Sequence, residues 1–545
     1  MDEGFLTEST AFRNGGDKMN FTEDSPQKAS KAKRRSRHCC KCCGHDEVEF
    51  ASNTTCHGLK RIASVKSCWR RALWIIVVLI LFGFLLEELF GLIEDFGKYK
   101  STTSISIESN GTIDFPAITI CDSNRLNRSA LTEIGIPPSD SELINYILFG
   151  FGNFGWFGRL FLKNESYDGQ MKARYTNYTG RPWDYSYVIE KTAKKDFSKN
   201  ILGCFIVGHD EAATLAPEDT IGCDAREYYR TTWTKDGECA TFNHPDIGKS
   251  FSQKTPGGEH GMTILWDLRQ FEYSENLDGN MQAGLSIYLH PRYEPGELVT
   301  AYGTALSPGT YAIGALKLDK KTNLPKPYGN CAEKKLRYED RYSLAGCELE
   351  CEADIIANNC QCRPLFTSSY RRNIRVCEPY DVKMCMMPLL NNADYITAFK
   401  SCYNSCGTAC KEEIYDINLS FSSFPNRHAA DALQTALNLS ANYVRDNIIY
   451  LNLYYPRLSY TSFNQEKATT RSQLISDFGG MMGLCVGASV LTVCEFIEFA
   501  FVKIFKWCCS KSEDDYIADE DAIQEKPGVN DRGGVELTSK ISSVI

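Results

Sequence analysis

The chain has 545 residues, 24% of them charged and 43% hydrophobic, with a formal net charge of −9. An acidic balance excludes a general nucleic-acid binder, which needs excess Lys and Arg to neutralise phosphates. With eight histidines, no His-Glu-x-x-His and no Gly-x-Ser-x-Gly, the chain carries no hydrolase signature, and no enzymatic activity, metal or organic cofactor is expected.

Residues 1–50 are polar and biased toward Ser, Gly and Lys, which predicts disorder. Residues 1–71 hold 14 basic and 9 acidic side chains, a net +5. They include Lys33, Arg34, Arg35 and Arg37, then Lys60, Arg61, Lys66, Arg70 and Arg71 close to the first apolar run. That run occupies 72–93, and a second occupies 474–507; a helix needs about 20 residues to cross the hydrocarbon core. Lys503, Lys506 and Lys511 flank the end of the second. The Lys/Arg bias marks both ends as cytoplasmic, so the chain reads as a two-pass protein in the lipid bilayer of the plasma membrane. Its cytosolic parts are 1–71 and 508–545, and 94–473 lie outside.

Fourteen of the 24 cysteines fall in that exterior part. An oxidising compartment makes them disulfides, and counting alone leaves their connectivity open. Sequons at Asn110, Asn127, Asn164, Asn177, Asn418 and Asn438 lie in the same region. Between the two runs the exterior reads as mixed α and β. Strand-like patterns occur at 112–120, 285–289 and 311–318, with a helix at 429–439 and a strand at 448–455. Ten cysteines crowd into 331–410, which predicts a disulfide-stapled helical module. Cys347 and Cys351 are four apart, as are Cys402, Cys406 and Cys410, and that step places side chains on one helix face.

In an aromatic-rich stretch, Phe154 and Trp156 are followed by Trp183 and Asp184. One reading is hydrophobic core; the other is a pocket for a small cationic, aromatic peptide. Gly150-x-Gly152-x-x-Gly155 lacks the strand–turn–helix context of a dinucleotide site. The second apolar run holds Glu495 and Glu498 one turn apart, together with Gly479, Gly480, Gly483 and Gly487-Ala488-Ser489. Carboxylates in hydrocarbon face protein or water, so they and the small residues point to a cation path shared among subunits. At the end of the chain, Ser543-Val544-Ile545 has the form of a PDZ-domain ligand.

The segment 474–499 (LISDFGGMMGLCVGASVLTVCEFIEF) resembles the pore helix of the degenerin/epithelial sodium channel family, which includes the acid-sensing channels. Further matches are Cys56-His57-Gly58, Phe115-Pro116-Ala117-Ile118-Thr119-Ile120-Cys121, Tyr342-Ser343-x-x-x-Cys347-x-x-x-Cys351 and the run at 447–455. The resemblance implies a homotrimeric, sodium-permeable, amiloride-blocked channel. Its α+β ectodomain would be a hand of palm, β-ball, finger, knuckle and thumb, the thumb at about 331–410. It implies a selectivity belt at Gly487, Ala488 and Ser489, where the pore helix would unwind, and a gate at Ser476, Asp477 and Gly480. The inner pore would carry His57, Gly58, Glu495 and Glu498, and the wrist Tyr99 and Tyr328. It also implies the pairs Cys121–Cys239, Cys204–Cys223, Cys331–Cys410, Cys347–Cys406, Cys351–Cys402, Cys360–Cys385 and Cys362–Cys377. Within the family the chain looks similar to FMRFamide-gated channels, so a neuropeptide-like extracellular ligand is the expected stimulus. Proton gating is the alternative, and a non-conducting two-pass receptor is the reading of another class.

Overall fold

The computed structural model describes residues 45–152, 166–207, 220–248, 250–275, 280–339, 341–367, 373–390 and 392–520. They form two compact units, one within residues 92–474 and one of residues 45–91 with 475–520.

Cys68–Gly97 is a single helix of 30 residues with a mean hydropathy of 2.5, long and apolar enough to cross a membrane. The other apolar run is a pair of helices, Arg471–Val486 and Val490–Glu520, bent by 73° at a three-residue break. Residues 45–50, expected to be disordered, belong to a helix over His45–Asn53, which ring contacts of Phe50 with Phe496 and Phe499 hold in place.

The larger unit is built on an eight-stranded mixed sheet. Its longest strand, Thr310–Thr322, pairs antiparallel with Lys411–Ser423 along all 13 residues. On its other side it runs parallel first to Ile448–Tyr454 and then to Ser459–Lys467. The edge strand Ser101–Ser109 follows the long apolar helix and pairs antiparallel with Ser459–Lys467, from Ser101↔Lys467 to Ser109↔Ser459. The chain therefore enters and leaves this unit through one ladder. A five-stranded sheet centred on Ala117–Asp122 and Leu285–His290 packs with the first around a shared core. Phe115, Phe242, Trp266 and Tyr455 are all essentially buried there. Each such side chain removed from water contributes roughly 1.5–3 kcal/mol.

Helices Ser141–Phe149, Tyr167–Thr179 and Tyr185–Thr192 share a second core with Ile356, Cys360 and Leu365. The cysteine-rich module follows as helices Leu344–Cys360 and Ala393–Ser405. Seven disulfides join Cys121–Cys239, Cys204–Cys223, Cys331–Cys410, Cys347–Cys406, Cys351–Cys402, Cys360–Cys385 and Cys362–Cys377. The single helical face expected for Cys402, Cys406 and Cys410 is not formed. Cys406 caps the helix, Gly407 follows it, and Cys410 lies between the strands Thr408–Ala409 and Lys411–Ser423. The Sγ atoms of Cys351 and Cys406 approach to 3.9 Å because two bridges stack, which makes a metal unnecessary to explain the cluster.

Candidate functional site

The break between helices Arg471–Val486 and Val490–Glu520 follows from three residues. Gly487 has φ +64°, a left-handed conformation that only glycine adopts at little cost, and it ends the first helix. Its N–H donates to the Gly483 carbonyl (3.0 Å), the single bond of an αL helix stop, and the Ala488 N–H donates to the Met482 carbonyl (3.2 Å). Ser489 starts the next helix. Its N–H donates to Thr492 Oγ1 (2.9 Å) while its Oγ lies 3.4 Å from the Thr492 N–H, a reciprocal capping box. The carbonyls of Gly487 and Ala488 are left without a backbone donor among the described residues.

A segment ahead of the first apolar helix packs against this break. The His57 N–H donates to the Val486 carbonyl at 2.8 Å, satisfying one of the acceptors that a helix end leaves orphaned. A Cβ at Gly487 would lie 2.2 Å from His57 Nδ1, so the imidazole occupies the space a side chain there would need. Gly58 has φ +90°, and a Cβ there would meet Val78 at 2.6 Å. Two neighbouring threonines complete the dock. Thr54 Oγ1 donates to Glu495 Oε2 (2.8 Å), the Thr55 N–H reaches the same oxygen (3.0 Å), and Thr55 Oγ1 lies 2.5 Å from Thr492 Oγ1. Thr54, Thr55 and Thr492 were missed in the sequence; the adjoining Cys56-His57-Gly58 match was the signal that could have led to the first two.

This alters the expectation for Glu495. One carboxylate oxygen is occupied by the 54–55 segment, so Glu495 anchors that segment in addition to any part in an acidic ring. Glu498 is exposed and lines a cavity of about 440 Å³ with Asp46, Glu49, Phe50 and Lys503. Lys503 pairs there with Glu47. Ser476, Asp477 and Gly480 are all exposed within the chain, and a Cβ at Gly480 would meet nothing within 4 Å.

In the other unit, the Tyr99 and Tyr328 rings meet edge to face at 5.3 Å, and Lys467 Nζ lies 4.9 Å over the Tyr328 ring. Of the expected ligand residues, Phe154, Trp156 and the sequon at Asn164 lie outside the described residues, as does 543–545. Trp183 and Asp184 have local structural roles. The Trp183 indole N–H donates to Glu378 at 2.6 Å, and its ring packs on Tyr146 and Tyr175. Asp184 is the N-cap of helix Tyr185–Thr192, accepting from the Tyr187 N–H at 3.0 Å. Asn110, Asn177, Asn418 and Asn438 are exposed, whereas Asn127 Nδ2 donates to the Lys194 carbonyl at 3.4 Å.

Two groups of buried charge stand out. Arg125 and Glu275 form an ion pair at 2.6 Å with side chains 4% and 1% exposed. Burial raises the carboxyls of nearby Asp122, Asp236 and Glu238 and lowers the ammonium of Lys195. Separately, Glu294 lines a cavity of about 550 Å³ with Glu348, Glu412 and Glu413. Burial, reinforced by the charge on Glu412, pushes the Glu294 carboxyl up to about 7.

The family model described as amiloride-sensitive sodium channel matches residues 50–499. The bile acid-sensitive ion channel of Rattus norvegicus is 28% identical over 466 residues, covering 84% of this chain and 88% of that protein. Its Homo sapiens counterpart is 27% identical over 470 residues, covering 85% and 86%. Acid-sensing ion channel 1 of Gallus gallus is 26% identical over 474 residues, covering 85% of each chain.

Proposed function

Because this chain belongs to the amiloride-sensitive sodium channel family, we propose that it forms a homotrimeric, sodium-selective, amiloride-sensitive cation channel of the plasma membrane. Both termini are cytoplasmic, the spans lie near 72–93 and 474–507, and residues 94–473 are extracellular. The observation that carries the reading is the Gly487-Ala488-Ser489 break, with its undonated carbonyls in an otherwise apolar pair of helices. Three such breaks around an axis would present carbonyls to a partly dehydrated ion, which is how a cation filter works. Ser476, Asp477 and Gly480 would then meet across the closed pore. His57, Gly58, Glu495 and Glu498 would line its inner mouth, and Tyr99 with Tyr328 would pass movement from the wrist to the spans.

For the stimulus, an FMRFamide-like peptide is proposed from the finger aromatics, although Trp183 and Asp184 are engaged in packing and capping. Proton gating is the second reading. Glu294 favours it, since a carboxyl raised to about 7 titrates on mild acidification. The named relatives also include acid-sensing channels. Expression in oocytes, with peptide pulses and pH steps applied separately, tests the whole. Amiloride-sensitive inward current is expected to one of the two, and silence to both in protein proven to be at the surface supports the non-conducting receptor.

A further inference from the structure

A cavity of about 370 Å³ lies among three elements of the extracellular unit. They are helix Tyr185–Thr192, strand Tyr229–Thr234 and residues Arg363, Leu365 and Val376 of the cysteine-rich module. Its volume falls within the roughly 300–1,000 Å³ of small-molecule sites. One wall is held rigidly. Arg363 and Val376 form a β-bridge, and the Cys362–Cys377 disulfide clamps the same two strands one residue away. A pre-formed wall spares a ligand the entropy of ordering it.

The lining combines flat apolar surface with excess positive charge. The half-buried Trp233 offers ring surface, backed by Tyr185 and Leu365, each 5% exposed, and Lys194, Arg226 and Arg363 supply three cations. Lys194 and Arg226 form no ion pair among the described residues. Two carboxylates also line the cavity, and they differ. Glu238 is 2% exposed and accepts the Lys195 main-chain N–H at 2.6 Å, so it is turned to the protein. Glu190 is exposed, leaving one solvent-facing carboxylate against the exposed Lys194 and Arg226 and the half-buried Arg363, whose Nε donates to the Ile374 carbonyl at 3.0 Å. Guanidinium groups bind carboxylate and sulfonate oxygens through paired N–H donors.

We infer that this cavity binds a small amphipathic anion, a ring system bearing one sulfonate or carboxylate, and that the ligand ties the helical finger elements to the cysteine-rich module. The ring lies on Trp233, and the acid group faces Arg226 and Lys194, with Arg363 beside them. The chemistry is opposite to that of a cationic peptide, so the site is separate from the proposed agonist site and does not depend on conduction.

The test uses the full chain at the cell surface. Ser186 lines the cavity and is exposed, and the fourteen exterior cysteines are all bridged. A membrane-impermeant maleimide should therefore label Ser186→Cys selectively. Naphthalene-2-sulfonate is expected to slow that labelling in a saturable way, and naphthylmethylammonium is expected not to. Adding Arg226→Gln should raise the half-protecting sulfonate concentration by about tenfold or more, as for loss of one charge-assisted contact. Arg226 is exposed, so this variant should fold even if Arg363→Gln does not. Absence of protection by the sulfonate, equal protection by the ammonium, or an unshifted concentration in Arg226→Gln would each overturn the inference.

Discussion

The imidazole of His57 fills the space that a side chain at Gly487 would occupy, with Nδ1 only 2.2 Å from the position of a Cβ there. Two residues 430 positions apart are thus fitted to each other, and the His57 N–H also closes the helix end at Val486.

Gly487→Ala should therefore fail for two separable reasons, collision with His57 and backbone strain at φ +64°, the latter costing about 1–2 kcal/mol. Surface expression and current are expected to fall. Adding His57→Ala should recover only part of the loss, because it removes the collision and leaves the strain. Full recovery would mean that the positive φ carries no cost in the assembled protein, and no recovery would mean that the contact is unimportant.

Ser476→Cys should give functional channels, and attachment of a bulky thiol reagent should produce standing, amiloride-sensitive current. Ser476, exposed in the single chain, would then be wedged where three copies meet. Modified channels that stay silent at rest and respond normally to stimulus would place the gate elsewhere.

Cys351→Ser and Cys402→Ser should cause equal losses of surface expression, and the double variant should be no worse than either. The two are bridged across 51 residues, and such a crosslink typically stabilises by about 2–4 kcal/mol. Additive losses would show that each cysteine does something beyond the bridge.

Glu294 makes stability depend on pH in a set direction. Its carboxyl is raised from an ordinary 4.5 to about 7. Between those values the folded state therefore holds a proton that the unfolded state has released, and stability falls as pH rises through the window. Relative to Glu294→Gln, the wild-type melting temperature should rise as pH drops from about 7 toward 4.5. Parallel curves for the two proteins would mean that Glu294 titrates normally.

Much of the fold was legible because its elements are long and strongly patterned. The 448–455 strand and the 429–439 helix appear within two residues of their expected bounds, as Ile448–Tyr454 and Arg427–Leu437. The Cys402-Cys406-Cys410 spacing misled, since a four-residue step is silent on whether the helix continues, and Gly407 after Cys406 was an unread stop signal. Asp184 caps helix Tyr185–Thr192, the ordinary place for an Asp before an amphipathic stretch. The 471–520 helix pair divides similarly. Gly487 and Ser489 are a helix stop and a helix start that sequence rules can find, whereas the Thr54–Glu495 bond joins residues 441 apart and no local pattern encodes it.

We propose that ions are selected at the Gly487-Ala488-Ser489 break. The direct measurement is the reversal potential when external sodium is replaced by potassium, in Ser476→Cys channels held open by thiol modification, with and without Ser489→Val. The unaltered belt should show a large negative shift, marking preference for sodium. Ser489→Val, which deletes the cap hydroxyl and adds bulk, should shrink that shift substantially. An identical shift in both, with currents of normal size, would contradict the claim and remove the break from the filter.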